Sequence, residues 1–246
     1  MSQPLDLLFL GSGNGFAPGG RFYSSFLLNG RYLFDASPAA LPQLRRAGVP
    51  PEAIDAVFIS HFHGDHFLGL PFLLLDYAHV SHRTAPLTII GPPGIEQRLA
   101  LVSDATFPNL LHKERTYTIE YVEAGDGRSG RVGDLSFVAR RVQHAESLEC
   151  FGYRVEIAGR TLAYSGDTSL CDALVALGDE TDVFVMECSC WDPPCGSYHM
   201  TLDDIRDLRR RVGPEPTFVL THLDAGDRDI GIENTLVASD LARFSL

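Results

Sequence analysis

Lysine is almost missing from this chain. Of its 246 residues only Lys113 carries an ammonium side chain, and arginine supplies the rest of the 20 basic residues. Against them stand 32 acidic residues, so the formal net charge is −12. The basic excess of a general nucleic-acid binder is therefore absent, although a local basic patch remains compatible with this balance. Long hydrophobic runs are missing too. No stretch reaches the ~18 apolar residues that a membrane helix needs, and no basic N-terminal segment leads into one. Cysteine is scarce and odd in number, with five residues at 150, 171, 188, 190 and 195. They cannot all pair, so free thiols in a reducing cytoplasm are expected. These absences exclude a membrane span, a collagen-like chain and a disulfide-stapled miniprotein.

What is present is globular material. Apolar residues make up 45% of the chain and charged residues 21%, enough for one sizeable core. There is no linker of biased composition and no short repeat, so a single domain over residues 1–246 is expected. Residues 5–10 read as a buried strand closed by the glycine-rich segment 11–20. Strands at 24–28 and 31–34 flank Asn29-Gly30, a two-residue hairpin signal. A helix is expected from Pro38 to about residue 47, a strand over 53–60 and a buried helix over 68–82. A strand over 87–90 and a helix over 94–103 follow. Strands then return over 117–122, 135–142, 151–157 and 161–164, the last two as a hairpin about Gly159-Arg160. A helix over 170–177, a strand over 183–187, a helix over 202–212 capped by Thr201 and a strand over 217–220 come next. The tail, 233–244, reads as a last helix. This order suits a layered α/β protein with two sheets and outer helices.

The strongest chemical signal is the hexamer His61-Phe62-His63-Gly64-Asp65-His66, with four metal-ligand side chains in six residues. It follows a strand, the place where α/β proteins collect ligands. His144, Asp167 and His222 each lie just beyond another expected strand. Taken singly each is an ordinary strand-end residue. Taken together, one sheet edge can gather all of them.

The HxHxDH hexamer, His144, the segment Ser165-Gly166-Asp167-Thr168 and Thr221-His222 together resemble the metallo-β-lactamase superfamily. The motifs span most of the chain, from Gly11 to His222. The resemblance implies a four-layer αββα sandwich with a two-metal site at one edge of the sheets. On that pattern His61, His63 and His144 would hold one metal, Asp65, His66 and His222 the other, and Asp167 would bridge them. Zn²⁺ is the expected ion, with Mn²⁺ or Fe as alternatives, because N/O donors select weakly. Asp35 matches the family's early Asp, which lies behind the ligands.

Within that superfamily the pattern resembles the ribonuclease Z and phosphodiesterase branch. His199-Met200-Thr201 stands where that group has a His-x-Thr motif supplying a general acid, and Tyr23-Ser24-Ser25 resembles its early Ser-Ser element. Gly69-Leu70-Pro71 and Met186-Glu187 fit neighbouring motifs. The resemblance implies an in-line attack on phosphorus, with Asp65 orienting the attacking water or taking its proton and His199 protonating the leaving oxygen. Two departures count against a tRNA 3′-processing endonuclease. Only 23 positions separate His144 from Asp167, leaving no room for that enzyme's long arm, and the segment after the hexamer differs. A small anionic substrate such as a cyclic nucleotide or oligonucleotide is the expectation, with extended nucleic acid disfavoured. A tRNA endonuclease, an arylsulfatase- or lactonase-type hydrolase and a non-catalytic metal-binding protein are the alternatives. The resemblance leaves a homodimer open.

Weaker signals have blander readings. Gly11-Ser12-Gly13-Asn14-Gly15 is similar to a dinucleotide fingerprint, but Pro18, Gly19 and Gly20 oppose the helix that such a site needs. Cys188, Cys190 and Cys195 lack an obvious fourth zinc ligand and read as loop thiols, with Trp191 a candidate pocket wall. His79 and His82 read as an exposed helix face. The run Arg206, Arg209, Arg210 and Arg211 reads as a solvated one.

Overall fold

The computed structural model describes residues 3–112, 114–192, 198–224 and 230–246. Its strands form two seven-stranded sheets. The first holds β1 (Asp6–Gly11), β2 (Ser25–Leu28), β3 (Tyr32–Phe34), β4 (Ala56–Phe58), β5 (Leu87–Gly91) and β6 (Ile119–Glu123) in sequence order, with β14 (Arg243–Ser245) on the free side of β1. The second runs β13 (Thr235–Val237), β12 (Thr217–Thr221), β11 (Val183–Glu187), β10 (Arg160–Tyr164), β9 (Cys150–Ile157), β8 (Leu135–Val142) and β7 (Ser129–Val132).

Between the sheets lies an aromatic core. In the first sheet Phe9, Phe26, Phe34 and Phe58 are direct cross-strand neighbours on β1 to β4. Their rings stack at 5.4, 4.7 and 4.8 Å between centroids. Tyr164 of the second sheet meets Phe26 and Phe34 edge-on at 5.3 and 5.8 Å, the arrangement that ring quadrupoles favour. Outside the first sheet lie α1 (Ala40–Arg46), α3 (Leu70–His79) and α4 (Ile95–Thr106), joined in one apolar cluster with the sheet's outward residues. Outside the second lie α5 (Asp172–Gly178) and α6 (Leu202–Val212). The layers are therefore αββα, as the motif resemblance implied.

Strand direction brings the loops together. β3 to β6 run parallel, and β1 and β3 both pair antiparallel with β2, so β1 shares their direction. In the second sheet β10, β11 and β12 are parallel, and β8 and β10 both pair antiparallel with β9. The segments that leave β1, β3, β4, β8, β10, β11 and β12 therefore emerge at carboxyl edges.

The expected hairpin forms, with Asn29 and Gly30 both left-handed at φ 51° and 70°, the twist a two-residue turn requires. Thr201 caps α6 through a reciprocal bond with Asp204. Two expectations fail, and one strand was unforeseen. The tail is not a helix: it forms β13 and β14, which extend the two sheets at β12 and β1. Exposed backbone at those positions finds its hydrogen-bond partners in the tail, and this long-range pairing outweighs local helical pattern. The hairpin between β9 and β10 turns at Ala158-Gly159, φ 53° and 72°, while Arg160 already belongs to the strand. β7 was not foreseen, because Ser-Gly-Arg-Val carries too little apolar pattern to read as a strand. Among the described residues no helix is long and apolar enough to cross a membrane.

Candidate metal centre

The hexamer leaves β4 and enters α2 (Gly64–Phe67), a single helical turn that carries Asp65 and His66. His144 follows β8, Asp167 follows β10 and His222 follows β12. Eight side chains converge there in three overlapping groups, each with its ligand atoms within 4.8 Å: His61, His63, His144 and Asp167; Asp65, His66 and His222; and Asp167, His199 and His222. These are the residues that the motifs singled out.

Around the second group the spacing is regular. His66 Nε2 lies 3.2 Å from Asp65 Oδ2, 3.3 Å from Asp167 Oδ2 and 3.3 Å from His222 Nε2. His222 Nε2 lies 3.4 Å from Asp65 Oδ2 and 3.3 Å from Asp167 Oδ2. Tetrahedral coordination at ~2.0–2.1 Å separates neighbouring donor atoms by about 3.3 Å. These side chains thus fit a divalent cation. In the first group His144 Nε2 lies 3.2 Å from His63 Nδ1. His61 Nε2 and His144 Nε2 each stand 3.9 Å from Asp167 Oδ2. His61 Nε2 is fully buried and has no hydrogen-bond partner. A buried nitrogen left in that state is costly unless it ligates an ion.

The outer ring nitrogens are fixed from behind. Asp35 is wholly buried at the end of β3 with φ 54°, a left-handed conformation uncommon outside glycine. Its Oδ2 accepts bonds from His66 Nδ1 at 2.7 Å, Tyr164 Oη at 2.6 Å and Ser60 Oγ at 2.8 Å. Ser60 Oγ in turn lies 3.0 Å from His61 Nδ1. His144 Nδ1 donates to the Tyr198 carbonyl at 2.9 Å, and His222 Nδ1 lies 2.6 Å from Ser189 Oγ. Each partner leaves Nε2 as the nitrogen that faces the cluster, the usual support for a metal-binding imidazole. Ser24 and Ser25 also act from behind: Ser24 Oγ bonds Thr221 Oγ1 at 2.9 Å, and Ser25 Oγ donates to the Asp35 carbonyl at 2.7 Å.

Charges follow the geometry. Burial opposes protonation of His61 and, with its histidine neighbours, holds its pKa well below the usual value. Burial also opposes charge on His66, but Asp167, Asp35 and Asp65 outweigh it and hold that imidazole well above its usual range. For Asp65 and Asp167, burial works against ionisation, yet the surrounding histidines keep both below the usual carboxylate range.

Across the cluster stands His199. Its Nδ1 donates to Glu187 Oε1 at 2.7 Å. Burial opposes its charge, but that bond and the Glu187 carboxylate raise its pKa to about 9. Glu187, at the end of β11, also accepts the backbone N–H groups of Thr168, Ser189 and Met200. His199, His63, Asp65, Asp167 and His222 line one open cavity of about 540 Å³, with Asn14, Gly15, Phe16, Ser189, Cys190 and Asp224 completing its wall.

Ser189, Ser60 and Tyr164 escaped the sequence reading, because nothing marks a hydroxyl at a strand end until its histidine or carboxylate partner is placed. Trp191, read as a pocket wall, is instead buried in the core beneath α5 and α6, 3% exposed. Cys188 is buried in the core and Cys190 is disulfide-bonded, which corrects the reading of both as loop thiols. Cys195 lies outside the described residues. His79 and His82 are exposed and join no metal-competent group among the described residues. The arginine run is absorbed locally: Arg206 pairs with Asp203, Arg210 and Arg211 with Asp207, and Arg209 lies over the Phe218 ring.

Two stacked sheets whose carboxyl edges meet at a histidine–aspartate cluster define a class of metal-dependent protein. The chain belongs to the beta-lactamase superfamily, whose domain model matches residues 30–223. It is 27% identical to ribonuclease Z of Methanosarcina mazei, over 98% of each chain. Among solved structures it resembles the short form of human tRNase Z, with a TM-score of 0.77, 24% identity and 98% of each chain covered. It likewise resembles a diphosphatase of the PhnP family, with a TM-score of 0.76, 20% identity and 98% of each chain covered. The alignment with the Methanosarcina mazei enzyme runs over 301 positions against 246 residues here, so at least 55 positions have no counterpart in this chain (301 − 246).

Proposed function

We propose that this protein is a two-metal phosphodiesterase acting on a small phosphodiester. It is a metal-dependent hydrolase with the ribonuclease Z-like arrangement of residues. One observation carries the reading: His199, held by Glu187, lines the same cavity as Asp65, Asp167 and His222. Metal ligands and a proton donor thus share one cleft.

His61, His63 and His144 would hold one ion, Asp65, His66 and His222 the other, and Asp167 stands within reach of both sets. Zinc suits this donor set, with manganese or iron as alternatives. When bound, the two ions supply charge neutralisation for the phosphoryl oxygens and an acidified water. The residues of the chain do the rest. Asp65, which lines the cavity, would orient that water or take its proton. His199, as imidazolium, gives the proton from Nε2 to the leaving oxygen, while Glu187 compensates the charge it carries beforehand. Asp35, Ser60 and Ser189 keep the imidazoles from turning.

The small-substrate reading rests on the net charge of −12, the shortness of the segment between His144 and Asp167, and the absence of lysine or arginine from the described cavity wall. Domain unity over residues 1–246 and a cytoplasmic location belong to the same reading. A tRNA endonuclease is the second reading, favoured by the names of the relatives. Metal analysis with assays on bis-p-nitrophenyl phosphate, a cyclic nucleotide and a precursor tRNA separates them. The expected result is two divalent ions per chain and turnover of the small diesters. Efficient cleavage of precursor tRNA with neither small diester hydrolysed would overturn the proposal. Two bound ions with no substrate cleaved would favour a non-catalytic metal-binding protein.

A further inference from the structure

The cavity wall carries an apolar ring that stands almost fully exposed. Phe16 is 93% exposed, more than any other large hydrophobic side chain among the described residues. Such exposure leaves a large apolar surface in water, which favours anything that covers it.

The ring is presented by a fixed turn. Asn14, itself buried, accepts the Phe16 N–H on Oδ1 at 3.0 Å and the Ala17 N–H on its carbonyl at 3.0 Å. Asn14 N–H donates to the Leu223 carbonyl at 3.0 Å, and Leu223 N–H donates to the Ser12 carbonyl at 2.8 Å. The turn is thereby stitched to the residue after His222. Gly15 lies directly against Asp65, since a Cβ there would stand 3.0 Å from Asp65 Oδ2. Phe16 is thus one residue from backbone that touches the metal cluster, and it lines the same cavity as His199.

The remaining wall decides what such a ring can meet. Among the described residues it holds no lysine or arginine, and Asp224 adds a further carboxylate. Among the described residues, cationic partners for the anionic groups of a substrate are confined to the metal-binding cluster and His199. Beyond them the described wall offers the aromatic face of Phe16 beside the smaller residues Asn14, Gly15, Ser189 and Cys190.

We propose that Phe16 is a specificity-determining residue that stacks on the nucleobase of a nucleoside-bearing phosphodiester. This rests on the phosphodiesterase reading and narrows its substrate class. Every base has a π face, so stacking selects for a nucleoside without selecting strongly among bases. A flat ring on a rigid turn suits a planar group, because neither partner must be ordered on contact.

Calorimetric titration of the metal-loaded protein tests this without requiring turnover. The probes are adenosine 5′-monophosphate, uridine 5′-monophosphate, ribose 5-phosphate and decyl phosphate. The wild type is expected to bind both nucleotides about 5- to 100-fold more tightly than ribose 5-phosphate. Phe16→Ala is expected to remove most of that ratio while leaving ribose 5-phosphate affinity and metal content unchanged. Phe16→Trp is expected to keep it. Nucleotides that bind no better than ribose 5-phosphate, a ratio that survives Phe16→Ala, or a preference for decyl phosphate would overturn the stacking role. Failure of the phosphodiesterase reading would show separately, as absent hydrolysis of bis-p-nitrophenyl phosphate with the binding ratio intact.

Discussion

At the scale of single residues, the site divides between groups whose donor atoms converge on the cluster and groups that aim them. Asp167 faces both halves of the cluster, so Asp167→Ala is expected to lose bound metal and activity together, as read by elemental analysis alongside turnover. His199 stands close enough to Asp167 and His222 to share an ion with them, but its Nδ1 is bonded to Glu187 and the two ligand sets are complete without it. His199→Ala is therefore expected to keep its metals and lose roughly 10²–10⁴-fold in kcat. Full turnover in a His199→Ala protein that holds its metals would remove it from the mechanism. Gly166 turns Asp167 inward at φ 59°, where a Cβ would stand 2.7 Å from Ser60 Cβ and 3.0 Å from the Phe151 carbonyl. Gly166→Ala should weaken metal retention although it alters no ligand, and elemental analysis of the variant checks this. The ligands were legible in the sequence because histidine and aspartate at strand ends are chemically conspicuous. Ser60, Ser189 and Tyr164 were not, because a hydroxyl acquires meaning only from the partner that the fold places beside it.

At the scale of elements, the aromatic ladder of β1 to β4 ties stability to the site. Phe34 stacks between Phe26 and Phe58 and immediately precedes Asp35. Phe34→Ala is expected to cost about 3–5 kcal/mol by cavity formation. Denaturant unfolding should show this, and metal affinity should fall with it because Asp35 loses its seat. Thr201 caps α6 two residues after His199, so Thr201→Ala should cost about 1 kcal/mol. A loss of turnover greater than the loss of stability would show that the cap also holds His199. The hairpin at Asn29-Gly30 and the capped α6 were readable because their signals are local. The tail was misread because its conformation is set by β1 and β12, strands far away in the chain that leave edges to be paired.

At the scale of the whole molecule, a negative protein is built around a site suited to cations. The cluster gathers buried carboxylates and imidazoles, so bound ions stabilise the folded state by mass action. Chelator treatment should abolish activity and lower the melting temperature, and adding back zinc or manganese should restore both. An unchanged melting temperature after verified metal removal would show that the ions do not contribute to folding stability. The net charge of −12 acts over the whole surface, whereas bound divalent ions would reverse its sign only within the cleft.

The sequence by itself determined the layered α/β architecture and the identity of the candidate ligands, because strand patterning and metal-binding chemistry are both written in local runs of residues. Only the tertiary structure decided which nitrogen of each supported histidine faces inward and which groups hold it there. It also decided that the tail closes the sheets and that Phe16 stands bare at the rim. Those outcomes depend on contacts between segments up to more than two hundred residues apart, such as β1 with β14, and such contacts exist only once the sheets have stacked.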